Sequence, residues 1–286
     1  MEPILVTGAA GGQQGSTGRR VVELLLGRGL SVRAMVHADD ARADALRGLG
    51  AEVVAGDLRE IADTRPALQG VRSAYFTYPV VDGFIEATGA FAAAAKEAGV
   101  ERVVAVSQLA SGPQALTPRM RQHWVAEQIL DWAGIGAVHL RAAVFFENIA
   151  LLARTGDPAE LAMPMGPPET VLPLIAGQDV ARVAAGILAD PARPVDPVVL
   201  LTGEVMSIAA VADTLGVTYR DVPPDAWHRW ALDFYGSAHP AEHLSKLWEI
   251  FRLLGEGTGL YHVTDTIHRH GGHPPTTLAE FAAAPG

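Results

Sequence analysis

Four glycines stand where a backbone would have to bend tightly around an anion: Gly8, Gly11, Gly12 and Gly15, with Gln13 and Gln14 between the last two. They follow the apolar run Ile4-Leu5-Val6-Thr7 and open into Arg19-Arg20-Val21-Val22-Glu23-Leu24. A strand, a glycine-rich turn and a helix in that order form a pyrophosphate cradle. Glycine lets the backbone approach the phosphates, and the helix N-terminus stabilises their charge. The spacing predicts a dinucleotide site whose turn carries one extra residue.

The tip of the second strand distinguishes the two dinucleotides. An acidic residue there holds the ribose hydroxyls of NAD, whereas a basic residue accepts the extra phosphate of NADP. Here the tip is His37, and Ala38 precedes the first carboxylates, Asp39 and Asp40. This favours NADP(H) over NAD(H), because an imidazole can carry partial charge near a phosphate. Asp57 and Leu58 follow the third strand, where Asp57 is placed either to accept from an adenine amino group or to cap a helix. Thr77, Tyr78 and Pro79 end the fourth strand and Ser107 and Gln108 the fifth, where nicotinamide and substrate would meet.

A phenol four residues before an ammonium on one helix face transfers a proton, with the ammonium lowering its pKa. The two lysines, Lys96 and Lys246, follow no tyrosine at that spacing. In short-chain dehydrogenases, which the order of these motifs resembles, one helix carries that pair. The corresponding helix here reads Arg119-Met120-Arg121-Gln122-His123-Trp124-Val125-Ala126-Glu127. Aligned on its Trp-x-x-Glu end, the resemblance puts Arg119 in the tyrosine's place and His123 in the lysine's. His239 and His243 are four apart, and His262, His268, His270 and His273 crowd the end of the chain. With no cysteine and no carboxylate motif beside them, they predict no metal site, and 268–275 reads as a Gly-Pro loop. Glu147 and Asn148 are expected to end a strand facing the cleft, and Asp179 to cap a helix.

These side chains need a scaffold at whose strand ends they meet. Short apolar runs at 31–36, 52–55, 73–78, 102–107 and 137–141 alternate with helical stretches at 39–49, 84–98 and 119–132. That succession is a doubly wound α/β fold with a parallel sheet. Residues 155–173 are rich in Pro and Gly and read as a long loop; 180–189 and 208–215 read as helices around a strand at 198–201. Residues 223–255 read as mostly helical and hold Trp227, Trp230, Phe234, Tyr235, Trp248 and Phe251. The reading is a Rossmann-type domain over 1–150 and a smaller, mostly helical C-terminal subdomain over 151–286 that walls the substrate cleft, with sheet strands contributed from 170–205.

At 286 residues, 49% of them hydrophobic, the chain can bury a sizeable core. A net charge of -10 with no basic block argues against nucleic acid and acidic membranes as partners. The absence of cysteine excludes disulfides and thiolate catalysis, and a cytoplasmic setting is the simplest reading. No apolar segment reaches the ~20 residues of a membrane span. A homodimer stays open.

The chain resembles the atypical short-chain dehydrogenases of the NmrA-like type, and among them the NAD(P)H:quinone oxidoreductase-like branch. The resemblance is carried by Val6-Thr7-Gly8-Ala9-Ala10-Gly11, Val32-Arg33-Ala34-Met35-Val36-His37, Gly56-Asp57-Leu58 and His123-x-x-x-Glu127. It continues through Leu140-Arg141-Ala142-Ala143-Val144-Phe145-Phe146-Glu147-Asn148, Gln178-Asp179-Val180-Ala181 and Leu201-Thr202-Gly203-Glu204. It departs at His37, where the family often has Arg, and at Arg141-Ala142-Ala143, where it often has Arg-Pro-Gly. The resemblance implies an NAD(P)H-dependent reductase that passes hydride to a quinone or activated aromatic carbonyl. His123 would orient the ribose or give a proton, while Ser107, Gln108 and Tyr78 would bind the acceptor oxygen. Ala143 and Asn148 would lie beside the cofactor. The alternative it implies is a redox sensor that binds NADP(H) without turnover and acts through a protein partner.

Overall fold

Ile4–Thr7 forms strand β1, and all four of its residues are buried, as the middle of a parallel sheet covered on both faces requires. The structure is a computed structural model that describes residues 2–11, 16–155, 160–257 and 261–284. Gly12, Gln13, Gln14 and Gly15 of the glycine turn lie outside the described residues. After β1 come α1 (Thr17–Leu26), β2 (Val32–Val36), α2 (Ala41–Gly48), β3 (Glu52–Ala55), α3 (Ile61–Leu68) and β4 (Ser73–Phe76). The first half ends with α4 (Phe84–Ala98), β5 (Arg102–Gln108), α5 (Pro118–Ala133) and β6 (Ala137–Ala142).

The second half adds β7 (Val144–Phe145), α6 (Phe146–Thr155), β8 (Glu160–Met163), β9 (Val171–Ile175), α7 (Gly177–Ala189) and β10 (Val198–Leu201). It continues with β11 (Glu204–Ser207), α8 (Ile208–Thr214) and β12 (Thr218–Asp221). Four helices close it: α9 (Pro224–Tyr235), α10 (Ala238–Leu254), α11 (Thr266–Gly271) and α12 (Leu278–Ala283).

The main sheet has seven strands in the order β10-β6-β5-β4-β1-β2-β3. Every neighbouring pair in it is parallel. The chain winds outward from β1 through β2 and β3, then returns to the other side of β1 with β4. The switch point therefore falls between β1 and β4, where a crevice opens at the carboxyl ends of the strands. Alternate residues of β1 serve opposite layers: Ile4 and Val6 pack with α1 and α7, while Leu5 joins Phe76 and Phe91 beneath α3, α4 and α5. The seventh strand, β10, and α7, which packs on α1, both come from beyond residue 150.

A third core belongs to the second half. It gathers Leu161, Met163, Leu174, Trp227, Trp248 and Phe251 between the small sheets and α9 and α10. Two small sheets, β11-β9-β7 and β12-β8, lie in this half. The expected loop over 155–173 is thus corrected: β8 lies within it, and β9 begins at Val171. Pro173 sits inside β9, and β8 is four residues long and pairs with β12 about sixty residues later, so no local pattern announces either strand. The 268–275 loop is likewise corrected, since α11 runs to Gly271. Glu147 and Asn148 do not end a strand; they stand in the first turns of α6.

Candidate functional site

Gly8 turns the chain out of β1 with φ +64, and a Cβ there would lie 2.6 Å from Thr77 Cγ2. A Cβ on Gly18 would lie 2.6 Å from the Gly8 carbonyl oxygen, so only glycine lets α1 start this close to the turn. Thr7 latches the turn to the end of β4. Its hydroxyl donates to the Thr77 carbonyl at 2.9 Å and accepts from the Thr77 N–H at 2.9 Å. The first turn of α1 carries no acidic side chain, which leaves the positive end of the helix for an anion. The bend from Gly8 to Gly11, set ahead of an acid-free helix start, fits the pyrophosphate of a nicotinamide dinucleotide.

From this turn a cleft of about 810 Å³ runs along the strand ends to α9 and α10. One end is lined by His37, Arg42, Asp57, Leu58 and Arg59. Arg42 pairs with Asp40 and Arg59 with Asp57, each at 2.6 Å. The Asp57 carboxylate accepts from the Arg59 side chain and backbone N–H, which hold its pKa down to about 2. That carboxylate is therefore already engaged where the sequence places an adenine contact.

At the other end the structure brings together Thr77, Tyr78, Pro79, Ser107, Gln108 and His123, with Ala143 and Asn148 beside them. The Ser107 hydroxyl donates to Glu127 at 2.6 Å, and Glu127 receives two hydrogen bonds from Arg141, at 3.0 and 2.6 Å. Ser107 thus lines the cleft with its proton held by a buried ion pair. The Gln108 amide nitrogen lies 3.3 Å from His243 Nε2, and its carbonyl oxygen has no partner; the same is true of Asn148 Oδ1. Tyr78 donates its hydroxyl proton to the Asp82 carbonyl at 3.1 Å and stacks on Phe84 with centroids 6.0 Å apart; burial raises its pKa.

Helix α5 is set by its ends: Thr117 caps it by accepting from the Met120 N–H, Pro118 fills its first turn and Gly134 ends it. This phasing turns Arg119 and His123 to the interior. Arg119 is fully buried, with its guanidinium 4.1 Å from the centre of the Phe84 ring. It donates to the Tyr78, Pro79 and Val81 carbonyls at 3.2, 2.9 and 3.4 Å. Burial lowers its pKa to about 10, so it remains a cation at neutral pH. His123 packs against Phe84 at 4.8 Å, and burial, aided by the Arg119 charge, pushes its pKa well below the usual range. Helix α5 thus presents to the cleft a clamped cation at Arg119 and a neutral imidazole at His123.

The cleft's outer wall comes from the second half. Tyr235, His243, Leu244, Leu247, Trp248 and Phe251 line it, while Trp227 and Trp230 pack against each other and the core beneath α9 and α10. His243 lines the cleft, whereas its four-residue spacing from His239 suggests only a zinc pair. The signal was present in the apolar 243–244–247–248–251 face of its helix. Burial, then Arg119 and His239, push its pKa down to about 3. Among the described residues, no three His, Asp or Glu side chains gather as a metal site would need, and no helix is long and apolar enough to cross a membrane. Asp179 is not a helix cap: Ala176 is the N-cap residue, and the Asp179 carboxylate is buried, pairs with Arg182 and accepts from Thr276.

The chain is 30% identical over 290 residues to an NAD(P)H azoreductase of Xenophilus azovorans, covering 98% of this chain and 97% of that one. It superimposes with a TM-score of 0.82 on an NADPH-dependent quinone oxidoreductase of Escherichia coli solved with NADPH, at 23% identity and 98% coverage of both chains. It also superimposes on NmrA, a negative transcriptional regulator solved with NADP, with a TM-score of 0.76 at 19% identity, covering 99% of this chain and 95% of that one. At such identities the two structures speak for the shared fold. A sequence model of the NmrA-like family matches residues 1–282, and with the azoreductase's likeness over almost the whole chain this makes the protein a member of the NmrA-like family.

Proposed function

We propose that the protein is an NAD(P)H-dependent reductase that passes a hydride to a quinone or another electron-poor aromatic acceptor, azo compounds included. One observation carries this reading: a single cleft joins the glycine turn to an apolar and aromatic wall built by α9 and α10. Such a cleft suits a flat acceptor laid against the cofactor. The likeness to an azoreductase over nearly the full chain supports the same chemistry.

Bound there, the cofactor supplies the hydride. Gly8 and Gly11, with Gly12, Gln13, Gln14 and Gly15 following them in the sequence, would hold its pyrophosphate ahead of α1. Thr77, Pro79, Ala143 and Asn148, which line the cleft, would hold the nicotinamide end. Gln108 and His123 orient the acceptor oxygen, and Tyr78 closes the side. His123, being neutral, donates a hydrogen bond to the acceptor oxygen without losing its proton, and solvent supplies the proton, so the acceptor gains a hydride and one proton in all. Ser107 keeps the end of β5 fixed through Glu127. A quinone forms a stabilised hydroquinone anion, so a strong acid is not required, which suits a site with no phenol–ammonium relay.

His37, Arg42 and Arg59 at the far end support NADP(H) over NAD(H). The part of the chain beyond 151 acts as the acceptor's wall.

Loss of NADPH absorbance with a panel of quinones and azo dyes tests the reading. Turnover is expected, and His123→Ala should lower kcat by roughly 10²-fold. The competing reading, a sensor that binds the cofactor without turnover, draws on Arg119 and His123 in place of the relay. Tight NADPH binding with no oxidation across the panel would establish it instead.

A further inference from the structure

Arg119 has no carboxylate partner among the described residues. Its hydrogen bonds go to three backbone carbonyls, its Nε has no partner, and its flat face lies on Phe84. A buried cation is normally paired, because moving it out of water costs several kcal/mol. The charges around it do not balance it. Glu127 is paired with Arg141, and Arg59 with Asp57. Asp82, 3.6 Å from His239, is 89% exposed and screened by water. The titratable side chains nearest the guanidinium, His123, His239, His243 and Tyr78, are all held in their uncharged forms. The acceptor end of the cleft therefore carries one fixed positive charge behind a neutral, largely apolar lining.

We propose that Arg119 is a specificity-determining residue that makes this cleft select anionic aromatic ligands, acceptors bearing a carboxylate, sulfonate or phenolate beside the ring that is reduced. This rests on the reading above that the cleft takes an aromatic acceptor. Arg119 acts through its field across a low-dielectric wall and needs no direct contact. The same field favours an acceptor that turns anionic when it receives the hydride.

Calorimetric binding of 2-naphthoate and 2-naphthamide to the enzyme–NADPH complex tests it, since the two probes share a shape, differ in charge and are not reduced. The wild type is expected to bind 2-naphthoate roughly tenfold more tightly. Arg119→Lys should keep that preference, and Arg119→Gln should lose it while still binding NADPH. Equal affinity of the wild type for the two probes, or an undiminished preference in Arg119→Gln, would overturn the proposal. Should Arg119→Gln fail to fold, the wild-type comparison alone still decides. The measurement involves no turnover. An enzyme that oxidises no NADPH yet prefers 2-naphthoate would sink the reductase reading and leave this one standing.

Discussion

At the scale of single residues, the cofactor end is a balance of short-range ion pairs. Arg42 and Arg59 line the cleft, but each already faces a carboxylate two positions away in sequence. A 2′-phosphate beside His37 would draw Arg42 away from Asp40, and guanidinium binds phosphate by paired charge-assisted hydrogen bonds. Arg42→Ala should therefore weaken NADPH roughly tenfold, about 1.4 kcal/mol, and leave NADH within twofold. Fluorescence titration of both cofactors checks this; equal losses for the two would show that Arg42 does not read the phosphate. Asp57, held as a carboxylate by Arg59, is unchanged in charge throughout the neutral range.

At the scale of elements, one close approach fixes the helix layer that α7 and α11 form. Gly186 of α7 lets α11 cross so near that a Cβ would lie 1.9 Å from the His270 carbonyl oxygen. Gly186→Ala should push α11 outward and cost roughly 1–3 kcal/mol, seen as a lower urea midpoint with NADPH affinity little changed. An unchanged midpoint would mean that the helices part freely there. Neither this crossing nor the Arg119 clamp is legible in the sequence. The glycine of an alanine-rich helix looks like any other, and the carbonyls that hold Arg119 lie about forty residues earlier in the chain. The strands of the main sheet are legible because burial on both faces turns them into apolar runs, and the glycine turn because its geometry admits few other residues. The strands β8 and β12 are not, since half-exposed four-residue pairs gain their meaning only from each other.

At the scale of the whole molecule, buried imidazoles set the response to acid. His243 titrates near 3 in the folded protein against about 6.5 in an unfolded chain, and His123 is shifted in the same direction. Between those values the unfolded state binds more protons than the folded one. The contribution is therefore complete above pH 6.5 and lost as pH falls towards 3. Thermal melts from pH 7 to pH 4 should show stability falling, with His243→Gln flattening the slope by at most about 1.4 kcal/mol per pH unit. An unaltered slope in that variant would place the acid sensitivity in other groups.

The late arrival of β10 has a consequence for synthesis. Strand β6 pairs on one side with β5, but its other neighbour, β10, ends at Leu201, about sixty residues further along the chain. While the chain emerges from the ribosome, its first half can assemble six strands and still present the bare parallel edge of β6. Newly made molecules pass through that open-edged stage before β10 docks, and it is then that neighbouring nascent chains are most able to stick to one another.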